Sequence, residues 1–159
     1  MPTDLTTVLL FAATATSGLL AGASLDQSIK QLPARRRIGA AAYSRYSRAA
    51  DLGNGIAFYA TLGISVLMLN VGAAIAGYIH GVSMSLALTL YAGALLAILH
   101  SMVTAIAAPT NFSQRHVTDE AELAPIFNRF AGLQALRCTL QVINFGVNLC
   151  GLALAAASL

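Results

Sequence analysis

The sequence predicts an all-α protein, an integral membrane antiparallel four-helix bundle with both termini on the outer side. Composition and length predict the spans, and the positions of the arginines predict their orientation. Hydrophobic residues make up 57% of the 159 positions and charged residues only 9%, whereas a soluble domain averages about 25% charged residues. Because so few charged residues cannot cover a surface that faces water, we expect the protein to be surrounded by lipid.

The apolar segments predict one transmembrane domain over residues 1–159 with four spans. One span needs about 20 apolar residues, and the apolar runs lie at about 5–25, 55–79, 83–108 and 130–158. The start of the chain lacks the basic residues of a secretory signal peptide, so we expect the first span to be retained. The alternative is cleavage near Ala21-Gly22-Ala23-Ser24, which has the small residues of a cleavage site.

The basic residues predict the orientation of the bundle. All nine Lys and Arg residues lie in or next to two loops, a basic loop at 26–54 and a second loop at 109–129. By the positive-inside rule both loops face the cytoplasm, and both termini are then outside. We expect the second and third spans to form a hairpin around His80 and Gly81, in a bacterial inner (plasma) membrane.

Polar residues recur along one face of each span, most clearly in the fourth. There the spacing of three and four residues aligns Gln134, Arg137, Gln141, Asn144 and Asn148. Unsatisfied amides cost several kcal/mol in hydrocarbon, so this stripe must face the interior of the bundle. The expected partners of this stripe are Asp51 and Asn54 on the second span and His100 and Asn111 on the third. Either these groups hydrogen-bond across helices and hold the bundle together, or they line a cavity.

Two ionisable residues favour a functional interpretation of this polar seam. Arg137 lies inside the fourth span, where an arginine is costly unless it reaches the interface or finds a partner. His100 lies about 12 Å inward from Pro109 at 1.5 Å per residue, so both side chains are predicted to face one cavity. A histidine at that depth can move a proton near neutral pH. The structural alternatives are a paired or interfacial arginine and a neutral core histidine bonded to a hydroxyl.

The basic loop predicts contact with anionic lipid. It carries Arg35, Arg36, Arg37, Arg45 and Arg48, and Tyr43 and Tyr46 add amphipathic rings. This composition is typical of an interfacial helix that rests on anionic headgroups. The alternative is a site for an anionic ligand.

The sequence offers no evident cofactor site, so we expect no metal, haem or flavin. A di-metal bundle needs several inward carboxylates, and a haem needs axial ligands at matching depth. His80, His100 and His116 lie at three different depths, and no carboxylate lies within a predicted span, Asp51 coming four residues before the second. This shortage of membrane carboxylates also argues against a proton-driven transporter.

Several short motifs resemble those of a known family. The first span ends in Gly22-Ala23-Ser24-Leu25 with a proline shortly after, the third ends in Pro109-Thr110-Asn111, and Asn128-Arg129-Phe130 precedes Arg137. Together they resemble the anthrone-oxygenase-like family, small four-helix membrane proteins that are mostly of unknown function. Family members often carry a tryptophan before the arginine segment and a second asparagine after Asn111; here there is no Trp, and Phe112 follows.

The resemblance implies oxidation of a hydrophobic aromatic, anthrone-like substrate by O2 without a cofactor. In that interpretation His100 removes a proton, and Arg137 with Asn111 or Gln141 holds the developing oxyanion. His100, Arg137 and Asn111 are the predicted catalytic residues. Gln134, Gln141, Asn144 and Asn54 are the predicted substrate-binding residues.

The alternative is a non-enzymatic membrane protein that binds a small hydrophobic ligand or stabilises a larger membrane complex. Small residues spaced four apart, such as Gly18 and Gly22, suit contacts within one chain or in a homo-oligomer. Membrane lipids and a small hydrophobic molecule are the expected partners, and no nucleic acid is expected. A functional cavity requires His100, Asn111 and Arg137 to converge on open volume, whereas a packing role requires them to bond to each other without a void.

Overall fold

The computed structural model describes residues 4–157, and this part of the chain is helical nearly throughout, without a strand. Four long helices carry the apolar segments, and shorter helices connect them. In chain order the elements are α1 (Leu5–Asp26), a π-helical segment (Gln27–Gln31), α2 (Leu32–Ile38), α3 (Ala40–Ala49), a second π-helical segment (Ala50–Asn54), α4 (Gly55–His80), α5 (Met84–Phe112), a 3-10 turn (Ser113–His116) and α6 (Glu120–Ala157).

Four stretches of helix have the length and the apolar composition needed to cross a membrane. They are Leu5–Ile38, Ala40–His80, Met84–His116 and Glu120–Ala157. The prediction of four transmembrane helices therefore agrees with the structure, which suits a small integral membrane protein. The last residue of the fourth predicted span, Ser158, lies outside the described residues.

Short local signals set the helix boundaries. Asp4 caps α1 by accepting a hydrogen bond from the backbone N–H of Thr7 at 2.7 Å, and this bond holds the pKa of the Asp4 carboxyl below its usual 3.8. Gly81 ends α4 in the left-handed region, with φ of 62°, which favours glycine because it has no Cβ. The chain then turns directly into α5, so the connection between these helices is as short as predicted.

Each long helix packs against two others. α1 lies against α4 and α6, and α5 lies against α4 and α6 as well. Close approach depends on small residues: a Cβ added at Gly93 of α5 would lie 2.8 Å from the Asn70 side-chain oxygen and 2.9 Å from that of Asn148. The interior is thus built around polar contacts as well as apolar ones.

The two predicted loops are largely helical. Residues 27–54 form helical segments that break at Gly39 and kink at Gly53. α5 continues through Pro109 to Phe112, four residues beyond the predicted end at 108. Proline removes one helical hydrogen bond, and beside it the Thr110 hydroxyl donates to the Ile106 carbonyl at 3.0 Å. The proline therefore does not end the helix, contrary to its usual effect.

Residues 27–54, called the end segment below, are tied to one end of the bundle by two arginines. Arg35 donates to the Phe127 carbonyl at 3.0 Å and to the Asn128 side chain at 2.8 Å. Arg48 donates to the carbonyls of Gln114 and Val117. The end segment is therefore held in place by hydrogen bonds to α6 and to the residues that follow α5.

Candidate functional site

A cavity of about 380 Å³ lies between α4 and α5, with α6 behind it. It runs along α4 from Gly55 to Leu67, a length of about 18 Å at 1.5 Å per residue. Its apolar wall includes Ile64, Leu67 and Phe130. Its polar lining consists of Gln27, Asp51, Tyr59, His100, Ser101, Thr104, Asn111 and Arg137.

The three predicted catalytic residues all line this cavity. His100 and Asn111 are buried, with 4% and 7% of their surface exposed, and Arg137 is half-buried. They come from α5 and α6, the two helices whose polar faces were predicted to meet. Side chains chosen from helix-face spacing therefore do share one open volume.

The His100 ring is fixed by two neighbours. Its Nε2 lies 2.6 Å from the Gln141 side-chain nitrogen and 3.2 Å from the Thr104 hydroxyl. Since an amide NH₂ only donates, Nε2 accepts in this arrangement and the proton sits on Nδ1. Nδ1 has no hydrogen-bond partner among the described residues, and neither has the Gln141 Oε1.

The Gln141 amide determines which tautomer His100 adopts. Turning this amide by half a rotation would present Oε1 to a protonated Nε2, and Nδ1 would then become a free acceptor. Both states leave Nδ1 without a protein partner. Gln141 therefore acts as a positioning residue for His100.

Arg137 on α6 resembles His100 in that a glutamine holds one of its nitrogens while another nitrogen has no protein partner. Its Nη1 donates to Gln134 Oε1 at 2.9 Å, one turn earlier on the same helix, while its buried Nε has no partner among the described residues. No carboxylate in residues 4–157 lies within ion-pair distance of it. A guanidinium without a counter-ion between apolar helices is a strong attractor for an anionic oxygen.

Asn111 connects the cavity to the end segment. Its side-chain oxygen accepts from Gln114 at 2.6 Å, and the buried Gln114 also bonds to Ser44 at 3.1 Å and Ser47 at 3.2 Å. The position of Asn111 therefore depends on the packing of α3.

Part of the predicted polar seam is packed rather than open. Asn144 donates to the Gly93 carbonyl at 3.0 Å, and Asn148 donates to Asn144 at 2.8 Å and to the Ser17 hydroxyl at 3.2 Å. Gln141 and Asn144 line only a small void of about 10 Å³, which is barely room for one water. Both interpretations of the seam thus hold, each in a different part of the bundle.

Of the four predicted substrate-binding residues, none is among those that line the main cavity. Gln134 and Gln141 hold Arg137 and His100, and Asn144 belongs to the packed network. Asn54 is exposed on the surface. Helix-face counting failed for Asn54 because residues 50–54 are π-helical and Gly53 has non-helical φ and ψ of −94° and −118°, which changes the direction of the side chains.

Sequence reasoning missed two polar groups of the cavity, Gln27 and Tyr59. It placed Asp51 on the polar face of the second span but gave it no role in the site. Asp51 is 9% exposed and accepts from the Ser47 hydroxyl at 2.8 Å. The signal for Asp51 was present, since an acidic residue beside a long uncharged segment is unusual, but nothing in the sequence marks Gln27 or Tyr59.

The arginines predicted to contact lipid fall into two groups. Arg35 and Arg48 are occupied by the hydrogen bonds that fix the end segment. Arg36, Arg37 and Arg45 are exposed, so contact of these three with anionic headgroups stays a prediction.

Within residues 4–157, no group of three or more His, Cys, Asp or Glu side chains is arranged to hold a metal ion. The polar groups of the cavity are therefore a set of proton donors and acceptors with one cation and one carboxylate. Comparison of the chain with family models, with curated proteins and with solved structures finds no match.

Proposed function

We propose that the protein binds a small hydrophobic molecule bearing an acidic oxygen in the cavity between α4 and α5, and oxidises it with O2. The observation that carries this proposal is the convergence of His100, Asn111 and Arg137 on one open volume of about 380 Å³. Both His100 and Arg137 also carry a buried nitrogen, Nδ1 and Nε, that has no hydrogen-bond partner among the described residues, and buried polar groups normally have one. The anthrone-like substrate class comes from the family resemblance.

The proposed reaction converts an activated CH₂ group into a carbonyl. With Nδ1 unprotonated, His100 accepts a proton from the carbon, and the charge moves to the conjugated oxygen, where Arg137 holds it. Asn111 lies about 16 Å along α5 from His100 and lines the other end of the cavity. O2 accepts electrons from the carbanion and forms a C–O bond, and protonation gives a hydroperoxide. Loss of the second proton from carbon with cleavage of the O–O bond yields the carbonyl and one water. One O2 is consumed per CH₂ oxidised, a four-electron change.

The apolar wall gives this chemistry a suitable environment. Leu67 and Phe130 face the cavity together with the polar residues, and a water-poor site strengthens the attraction between Arg137 and a developing oxyanion. The wall also favours a flat hydrophobic ligand over a hydrophilic one.

Entry from the membrane fits the position of the cavity. Side chains that line it on the α4 and α5 side are also exposed at the outside of the bundle: Ile64 at 63%, Ile56 at 37% and Phe112 at 37%. A hydrophobic ligand dissolved in lipid could therefore reach the cavity sideways between these helices.

Oxygen consumption with anthrone as the probe tests the enzymatic proposal. In mild detergent, we expect the wild type to consume O2 with anthrone, and His100→Phe and Arg137→Gln to lower this rate by roughly a hundredfold or more, as for loss of a general base or an oxyanion donor. Thr139→Ala is the matched control, because Thr139 is exposed on the same helix as Arg137. Equal rates in all four proteins would contradict the roles given to His100 and Arg137.

The second candidate is a ligand-binding protein without chemistry. It is favoured by the Gln141 and Thr104 contacts, which hold His100 Nε2 and suit a neutral ring that only hydrogen-bonds. Mass spectrometry of material extracted from the purified protein separates the two. A small molecule present in the wild type and absent from Arg137→Gln, without any anthrone-dependent O2 consumption, would establish the binding role and exclude the oxygenase.

The orientation is part of the proposal. We propose an antiparallel bundle with both termini outside a bacterial inner membrane, supported by the confinement of all nine Lys and Arg to the two connecting regions and the adjoining part of the fourth span. Alkaline phosphatase fused after the C-terminus should be active if the C-terminus is outside. A green fluorescent protein fusion that fluoresces at the same position would contradict this orientation.

A further inference from the structure

Asp51 is a buried carboxylate that the proposed reaction does not use. It lies in the π-helical segment before α4, is 9% exposed and lines the same cavity as His100 and Arg137. Ser47 donates a hydrogen bond to it at 2.8 Å, and Gln27 lines the same cavity. Both of these side chains are neutral. A buried carboxylate is rarely left without a cation unless it coordinates a ligand.

The contacts place Asp51 and Arg137 at different depths of the cavity. Ser47 bonds to Asp51 and to Gln114, and Gln114 bonds to Asn111, so Asp51 lies near Asn111. Arg137 precedes by one turn the Gln141 that contacts His100, and α6 runs opposite to α5 here, since Asn144 further along α6 bonds to Gly93 earlier on α5. Arg137 therefore lies about 6 Å from the level of His100 toward Asn111. His100 and Asn111 are eleven residues apart on α5, about 16 Å along the helix, so about 10 Å separates the levels of Arg137 and Asn111.

The cavity therefore holds an acidic and a basic side chain that do not pair with each other. The ion pair found among residues 4–157 joins Lys30 to Asp26 at the surface, so neither Asp51 nor Arg137 has an oppositely charged protein partner within 4 Å. Bringing each charge out of water costs free energy that a ligand of complementary charge would recover.

We propose that Asp51 is a specificity-determining residue, and that the cavity takes a ligand with an acidic oxygen at the Arg137 end and a protonated amine at the Asp51 end. This inference rests on the proposed function, because it assumes that the cavity binds a ligand at all. The inference adds a second requirement, a protonated amine on the ligand, which a site for an oxyanion alone does not impose.

Two fluorescent probes of nearly equal shape test this inference. 6-Ethyl-2-naphthol carries the acidic oxygen alone, and 6-(aminomethyl)-2-naphthol replaces the terminal methyl group by an ammonium. The chain contains no Trp, so probe emission is measured without overlapping indole fluorescence. Affinities are measured in detergent for the wild type, Asp51→Asn and Arg137→Gln, with Glu122→Gln as an exposed acidic control outside the cavity.

We expect the aminomethyl probe to bind the wild type more tightly than the ethyl probe, once the partition of each probe into empty micelles is subtracted. Asp51→Asn should weaken the aminomethyl probe about tenfold, the effect of one charged hydrogen bond, and leave the ethyl probe within about twofold. Arg137→Gln should weaken both probes, and Glu122→Gln neither.

The two proposals fail in different ways. If neither probe binds the wild type more tightly than Arg137→Gln, the cavity is not a site for acidic oxygens, and both proposals are overturned. If both probes bind but Asp51→Asn leaves their ratio unchanged, only the role of Asp51 is overturned. If Asp51→Asn does not elute as a folded protein, the wild type alone decides, because an aminomethyl probe that binds no better than the ethyl probe overturns the role of Asp51.

Discussion

Filling the cavity from Gly63 tests directly whether its open volume is used. Gly63 lines the cavity on α4, and a Cβ added there meets no atom within 4 Å. A cavity of roughly 150 Å³ is enough to hold a benzene ring, so the phenyl group of Gly63→Phe would occupy about two fifths of the 380 Å³. The remaining space is less than two benzene-sized volumes, whereas 6-ethyl-2-naphthol has two fused rings and two substituents, so the probe and the phenyl group compete for the same volume.

Although Gly63→Phe should weaken binding, it should leave the folding stability of the protein unchanged or slightly increased. Replacing a helical glycine gains a few tenths of a kcal/mol in helix propensity, and the open space around Gly63 means that no neighbour has to move. We therefore expect Gly63→Phe to bind 6-ethyl-2-naphthol at least tenfold more weakly, with a thermal midpoint equal to or slightly above that of the wild type.

Gly22→Phe is the matched control for this experiment. Gly22 also has no atom within 4 Å of an added Cβ, but it is exposed on α1 and does not line the cavity. The control should bind the probe as the wild type does. Undiminished binding by Gly63→Phe would refute the assignment of this cavity as the ligand site, and a large loss of stability would refute the open space assigned to Gly63.

Three further predictions concern the packed asparagine network, the end segment and the cap of α1. Gly93→Ala should destabilise the bundle by about 1–3 kcal/mol, because the added Cβ would lie within 3.0 Å of two buried asparagine oxygens; thermal unfolding in detergent measures this, and a neutral effect would show that the asparagines move freely. Arg48→Met should make the end segment easier to cleave with protease by removing its bonds to the carbonyls of Gln114 and Val117, and wild-type cleavage rates would contradict their importance. Asp4→Ala should cost at most about 1 kcal/mol. Because hydrogen bonding to Thr7 lowers the pKa of Asp4, its contribution should be present at neutral pH and be lost as the pH falls below 3.8; a difference between wild type and variant that persists well below this pH would argue against a charged cap.

Local patterns explain why the bundle itself could be predicted. Span number follows from the length of apolar runs, and the buried stripe from Gln134 to Asn148 follows from helical periodicity within one regular helix. All four amides of that stripe are at most 3% exposed, so the inward direction predicted for them is confirmed. Such properties depend on neighbouring residues in the chain and need no knowledge of the other helices.

The division of the polar seam into packed and open parts could not be predicted in this way. Gln141 and Arg137 lie one turn apart on the same face, yet Gln141 is engaged by His100 while Arg137 lines the cavity. That difference is set by how closely α4, α5 and α6 approach. Asn54 lies outside the cavity for a related reason, since the irregular turn at Gly53 ends the 3.6-residue periodicity on which its predicted inward direction depends.

The sideways opening of the cavity past Ile64 affects how any affinity should be expressed. A ligand that enters from lipid is present at the concentration it reaches in the bilayer, which for a hydrophobic molecule far exceeds its concentration in water. Occupancy then depends on moles of ligand per mole of lipid, and diluting the sample with buffer changes it little. A site with weak intrinsic affinity would therefore be filled in the membrane and emptied by excess detergent.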